Sequence, residues 1–224
     1  METAVARART PPNLTWELAG AAVASALVVA ASYQHWWPIT VTEAWGFATG
    51  GVCVWLVVRE HTWNWPIGLA NNLVFFVLFL RGRLYAGMWL QAVYFGLGLY
   101  GWLNWIHGGA DRTALKVSRT TRIEWGLLAA AVPLATWGLR EILVGANGAA
   151  PFWDSLTTVI SLAAQYLLCR KRIENWWLWI VADLIYVPLY LSRSLPLTAV
   201  LYAVFLVMCL CGLRAWRRSL EGAA

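Results

Sequence analysis

Apolar residues occupy this chain in long blocks separated by short polar stretches. The blocks lie at residues 14–33, 44–58, 65–80, 85–106, 123–139, 153–168, 176–191 and 197–213. Each reaches, or nearly reaches, the length at which a helix crosses a hydrocarbon core of about 30 Å. The pattern predicts an all-α integral membrane protein with eight transmembrane helices. The first block follows Arg7 and Arg9, as the apolar core of a secretory signal would. It continues into further spans, and no small-residue cleavage site followed by a soluble mature chain stands out. Residues 1–224 are therefore read as a single polytopic membrane domain.

A second pattern lies over the first. Shifted by 111 residues, the stretch 54–105 falls on 165–216 without a gap, and about fourteen of the fifty-two positions are identical. Shared leucines are cheap in membrane sequence. The matches Arg59/Arg170, Asn64/Asn175, Trp65/Trp176, Gly101/Gly212 and Trp105/Trp216 carry more weight. The repeat unit is three helices, at 44–106 and again at 153–213, with 123–139 as a linker helix and 14–33 as an extra N-terminal helix. One linker span leaves both units entering the membrane in the same direction, a parallel three-one-three arrangement of the SWEET type.

Polar residues inside the spans single out the middle helix of each unit. In the second unit Trp176, Trp179, Asp183, Tyr186 and Tyr190 fall at i, i+3, i+7, i+10 and i+14, one helical stripe. The same stripe in the first unit is Trp65, Gly68, Asn72, Phe75 and Phe79. Asn72 thus overlies Asp183, and each is flanked by aromatics. A carboxylate at bilayer depth costs roughly 2.5–3.5 kcal/mol on insertion scales, and such residues are functional by default. Aromatic faces stack rings and attract cations, and Asn and Asp accept bonds from hydroxyls. The pairing predicts a site for a small, flat, hydroxylated solute. Gln91 and its repeat equivalent Tyr202 add a hydrogen-bonding group in both halves, and Asn71, Tyr94, Gln165 and Tyr166 complete the polar set.

Composition narrows the class. The chain is 60% hydrophobic and 12% charged, with 17 Trp, whereas a soluble domain carries about 25% charged residues. A net charge of +6 in such a chain speaks to orientation rather than to nucleic acid. With a cytoplasmic N-terminus, only Arg81, Arg83, Arg140 and Arg193 of the 17 Lys and Arg fall outside, a positive-inside bias that puts both termini in the cytoplasm. Cys53, Cys169, Cys209 and Cys211 lie in or beside apolar runs without C-x-x-C spacing and read as small apolar filler. His35, His61 and His107 stand at span ends with no metal-binding spacing. No cofactor, metal or enzymatic activity is expected.

Several motifs then resemble one family. "WNWPIGLANNLVFFVLFLRGRLYAGMWLQAVYFGLGLYGWLNW", residues 63–105, is similar to the first-half signature of the PnuC family in its Trp-Asn-aromatic-Pro-x-Gly start, its "RLYAGMWLQ" and its closing "YGWLNW". The second half carries "ENWWLWIVAD", with the family's W-x-x-W at Trp176 and Trp179. The adjacent Asn71 and Asn72 are more polar than the family pattern. The resemblance covers roughly residues 44–218. It implies a bacterial plasma-membrane facilitator for a B-type vitamin, most often nicotinamide riboside, with thiamine, riboflavin or nucleosides as alternatives. It also implies a homotrimer, and a cytoplasmic kinase that phosphorylates the incoming cargo and traps it. Substrate contacts would fall to Trp176, Trp179, Gln91, Asn72, Asp183 and Tyr202.

Overall fold

The structure, a computed structural model, describes residues 30, 41–81, 83, 85–147, 150–192 and 196–222. Among these the chain is helical without strands: α1 (Val41–Val58), α2 (Asn64–Arg81), α3 (Tyr85–His107), a short 3₁₀ turn (Ala110–Arg112), α4 (Arg122–Gly145), α5 (Pro151–Cys169), α6 (Asn175–Ser192) and α7 (Pro196–Glu221). The block at 14–33 lies outside the described residues. The chain divides into two compact units, residues 1–52 and 53–224. In the first, the described part of α1 carries Thr49, whose hydroxyl donates to the Trp45 carbonyl at 2.8 Å.

Local chemistry sets several helix ends. Thr121 and Glu124 open α4 with a reciprocal capping box, which satisfies two of the amide donors left over at a helix start. Pro151 opens α5, where its fixed φ suits the first turn and its missing N–H costs nothing. Two of the described helices are long and apolar enough to cross a membrane by length and mean hydropathy: Arg122–Gly145 at 1.5 and Thr198–Glu221 at 2.0. The others mix Trp, Tyr, Asn and Gly into their apolar faces. Large apolar side chains are exposed on α2, α3, α4, α6 and α7, among them Leu73, Leu103, Leu134, Leu184 and Val207. Apolar surface on this scale suits hydrocarbon rather than water.

The repeat in the sequence reappears as matched contacts. Trp65 meets Trp105 edge-on at 5.4 Å and 85°, and Trp176 meets Trp216 at 5.5 Å and 86°. Gly101 lies under the Trp65 ring and Gly212 under that of Trp176, so close that a methyl at either would overlap the indole. Trp105 and Trp216 touch at 5.9 Å, joining the two pairs into a row of four buried indoles. The row is fastened crosswise. Trp105 Nε1 donates to the Leu168 carbonyl at 2.9 Å, and Trp216 Nε1 donates to the Val57 carbonyl at 2.9 Å. Leu168 and Val57 are themselves 111 apart, so each half caps the last turn of a helix in the other.

The same end holds the charges. After α1 and α5 the backbone turns left-handed at Glu60 (φ 54°) and Lys171 (φ 52°), a conformation that L residues adopt at a cost of about 1–2 kcal/mol. These equivalent residues pair with each other, Lys171 Nζ to Glu60 Oε2 at 2.8 Å. Lys171 also donates to the Leu115 carbonyl at 3.0 Å and lies 4.7 Å from the Trp105 ring centre. Arg170 and Arg172 both pair with Glu124 (2.9 and 3.1 Å). Ser118 exchanges backbone bonds with Lys171 and Ile173 (3.1 and 2.9 Å). The segment between α3 and α4 is thereby strapped across the loop between α5 and α6.

Overpacking of a close-packed interior costs about 1–3 kcal/mol. Gly101→Ala and Gly212→Ala are expected to destabilise by amounts of that order and by similar margins. Gly126→Ala, where an added methyl meets nothing within 4 Å, is expected to be neutral. Thermal unfolding of the detergent-purified variants checks this; an unchanged midpoint for Gly212→Ala would contradict the packing described.

Candidate functional site

Helices α6 and α7 run antiparallel across a short connection, and their facing residues meet in three layers spaced by seven residues, two helical turns. Trp176 faces Trp216 at the charged end. Asp183 faces Cys209, whose thiol lies 3.6 Å from Oδ2. Tyr190 stacks on Tyr202 at 5.2 Å and 15°. Tyr186 fits between the last two layers, 4.5 Å from Tyr202 and 5.7 Å from Tyr190. The period of seven on both helices explains why the stripe read from α6 alone finds its partners on α7.

Asp183 is 4% exposed. A thiol is a weak donor, and among the described residues no Arg, Lys or His pairs with this carboxyl. Cys209, which reads as filler in the sequence, is thus the side chain that meets the acid. A buried carboxyl with so little support costs free energy, and its place between a tryptophan layer and a tyrosine layer is the chemical focus of the fold.

The remaining candidates distribute around this focus unevenly. Trp179 is half-buried and packs on the edge of the indole cluster. Trp176 is 1% exposed and sits wholly within the indole row. Asn72 is half-buried on α2 and Gln91 half-buried on α3. Extensive helix contacts join α2 with α3, α3 with α5, α4 with α5, α5 with α6 and α6 with α7. Asn72 and Asp183 therefore stand on helices outside extensive mutual contact. Asn71, also half-buried on α2, has a partner of its own. Tyr94 reaches across from α3 to lie beside Ser161 of α5 and near Tyr186.

Helix α5 supplies residues that the sequence reading did not single out. Thr157 and Ser161, 1% and 4% exposed, lie one turn apart on a buried face, and the Tyr186 hydroxyl lies beside both. The repeat offset held a signal for them: the same shift of 111 places Gly46 and Gly50 opposite, so hydroxyls occur there in one half alone. No group of three or more His, Cys, Asp or Glu converges among the described residues.

Residues 40–218 match the family described as nicotinamide mononucleotide transporter. The nicotinamide riboside transporter PnuC of Escherichia coli (strain K12) is 28% identical over 203 residues, covering 79% of this chain and 85% of that protein. The riboflavin/roseoflavin transporter RibM of Streptomyces davaonensis is 29% identical over 191 residues, covering 80% of this chain and 89% of that one. The fold superposes on the crystal structure of the vitamin B3 transporter PnuC with a TM-score of 0.68 at 25% sequence identity, covering 91% of this chain and 93% of the other.

Trp176 and Asp183 are both buried, and what each packs against separates them. Trp176→Ala empties a closed indole seam and is expected to cost about 3–5 kcal/mol. Asp183→Asn removes a poorly supported carboxyl and is expected to leave the unfolding midpoint of the ligand-free protein unchanged or higher, as for a residue kept for activity rather than stability. Paired melting curves check the contrast; a strongly destabilised Asp183→Asn would assign the carboxyl a structural role.

Proposed function

The chain belongs to the nicotinamide mononucleotide transporter family, and from that premise we propose that it is a membrane transporter that takes up nicotinamide riboside by facilitated diffusion. The observation that carries the reading is Asp183, buried on α6 with an indole layer on one side and a tyrosine layer on the other. Nicotinamide riboside has a flat cationic ring for aromatic faces, a positive charge for the carboxylate, and hydroxyls for the surrounding polar groups. Trp179, Asp183, Tyr186 and Tyr202 form the near wall of the site, with Gln91, Asn72, Asn71 and Tyr94 completing it from α2 and α3. Trp176 supports the wall from behind.

The proposed architecture is eight spans, with the helix at 14–33 preceding two parallel three-helix units, 44–106 and 153–213, joined by 123–139. The matched indole, glycine and ion-pair contacts at an offset of 111 favour it. Alternating access then follows from rocking one unit against the other about a midplane site. The protein sits in a bacterial inner membrane with both termini cytoplasmic, assembles as a homotrimer, and relies on a cytoplasmic kinase to trap the cargo; it is a carrier and not an enzyme. A second reading, a riboflavin carrier, is favoured by the similarity to RibM; the isoalloxazine ring would need more room than a pyridinium.

A ligand that binds the folded state stabilises it by RT ln(1 + [L]/Kd). Nicotinamide riboside is expected to raise the unfolding midpoint of the purified protein with the logarithm of its concentration, and riboflavin and thiamine to do so less. Proteoliposomes are expected to equilibrate labelled nicotinamide riboside without a proton gradient, and Trp179→Ala to lower its affinity by about tenfold, the loss of one stacking contact of roughly 1–2 kcal/mol. A larger shift with riboflavin would promote the second reading. Uptake that collapses with the proton gradient would reject facilitation.

A further inference from the structure

We propose that four arginines at the charged ends of α4 and α7, Arg122, Arg214, Arg217 and Arg218, bind the headgroup phosphate of anionic phospholipids. This surface lies outside the cargo site, and the inference does not depend on which solute is carried.

Position comes first. The outward face of α7 runs through Val200, Val204, Val207, Cys211, Arg214 and Arg218, all exposed, at spacings of four and three that keep to one side of a helix. It is apolar for about three turns and then changes to arginine. Helix α4 shows the same border from its first residue. Arg122 is exposed, and directly after it Ile123, Trp125 and Leu127 are exposed at 76%, 42% and 65%. Apolar surface of this kind belongs in hydrocarbon, so each arginine stands where hydrocarbon gives way to headgroups. An outward Trp125 within a turn of Arg122 suits that same level. The phosphate of a lipid lies at this border, whereas a soluble anion has no use for the apolar side of it.

Charge is the second observation. The cations at this end fall into two sets. Arg170, Lys171 and Arg172 are buried or half-buried, and each has its acid, Glu124 or Glu60. Arg122, Arg214, Arg217 and Arg218 face outward, and no ion pair holds any of them among the described residues. Glu221, a turn further along α7, pairs with none of them either. Arg214 precedes Arg217 and Arg218 by three and four residues, so like charges are neighbours on the helix and repel. A phosphate between them turns that repulsion into attraction, and the guanidinium fork fits it with two parallel hydrogen bonds. Basic clusters placed just beyond a membrane helix are what anionic lipid surfaces attract.

The third observation is internal to the chain, where the first half is a control for what the shared fold requires. At the offset of 111, Arg214, Arg217 and Arg218 stand opposite Leu103, Ile106 and His107 of α3. Trp216, in their midst, stands opposite Trp105. Both halves keep the tryptophan, and one does without the arginines. Trp216 also fixes the surface in place: it is fully buried, and its Nε1 donates to the Val57 carbonyl at 2.9 Å. The arginines around it are therefore presented from an anchored turn.

The test is lipid retention by the detergent-purified full chain, read by native mass spectrometry with phosphatidylglycerol against phosphatidylcholine of the same acyl chains. The parent is expected to hold the anionic lipid about tenfold more strongly. The double substitution Arg214→Gln, Arg218→Gln is expected to cut that preference to about threefold, with an unchanged unfolding midpoint in phosphatidylcholine. Should the double variant fail to fold, Arg122→Gln alone serves, with the preference expected to fall about twofold. An absent preference in the parent, or one that survives in every folded variant, would overturn the proposal. So would displacement of the lipid by an equal concentration of glycerol 3-phosphate, which would make this a site for soluble phosphate esters. A midpoint in phosphatidylcholine that falls while the lipid preference stays would reduce the α7 arginines to complements of the helix dipole and overturn it too. Vesicle uptake measures the carrier reading separately, so the two fail independently.

Discussion

The last carbonyls of a helix lack the intrahelical donors that the others have, and find them elsewhere. Two such carbonyls, Val57 at the end of α1 and Leu168 at the end of α5, organise much of what lies around them. Each accepts a turn amide from its own half, Glu60 to Val57 and Lys171 to Leu168, and beside it an indole N–H from the opposite half, Trp216 to Val57 and Trp105 to Leu168. The donors are fixed in position because their rings pack edge-on against Trp176 and Trp65, which in turn need bare glycines beneath them. A second hydrogen bond at each of two helix ends thus ties four tryptophans and two glycines into one close-packed seam at the charged end of the molecule.

Away from that seam the halves diverge, and the divergence marks where chemistry resides. In the second half the layers between α6 and α7 pass from indole through carboxyl and thiol to tyrosine. At the same offset the first half has Trp65 with Trp105, Asn72 with Gly98, and Phe79 with Gln91. The acid becomes an amide and the facing thiol a glycine. Structure is carried by what the halves share. Recognition, on the reading proposed here, is carried by what they do not.

Much of this was legible in the chain. Seven apolar blocks correspond to α1–α7, and the helices overrun them by a few residues where polar side chains continue the coil beyond the apolar stretch, as at "RAWRRSLE" in α7. The repeat offset was legible because no insertion disturbs it. The stripe through Asp183 was legible because a helix has one period. What a single helix cannot report is which neighbour faces the stripe. Trp176 lies on the same stripe as Asp183 but meets a tryptophan and a glycine, whereas Asp183 meets Cys209 and the tyrosines follow. Thr157 and Ser161 escaped because short hydroxylated residues are common in membrane helices, where they often bond their own backbone, as Thr157 does to Trp153. The arginines and lysine at 170–172 were legible as a sign of orientation and, at Arg170, of the repeat. In the fold each is also bound to a particular acid, Arg170 and Arg172 to Glu124 and Lys171 to Glu60.

The last of these pairs has a bearing on how such a molecule can arise. On a true twofold axis between two identical chains, a residue meets its own copy, and a charge there can only repel. Glu60 and Lys171 occupy one and the same station in the two halves, yet carry opposite signs. That attraction is denied by symmetry to any assembly of identical single units. Two units written into one polypeptide, free to mutate separately, can hold it.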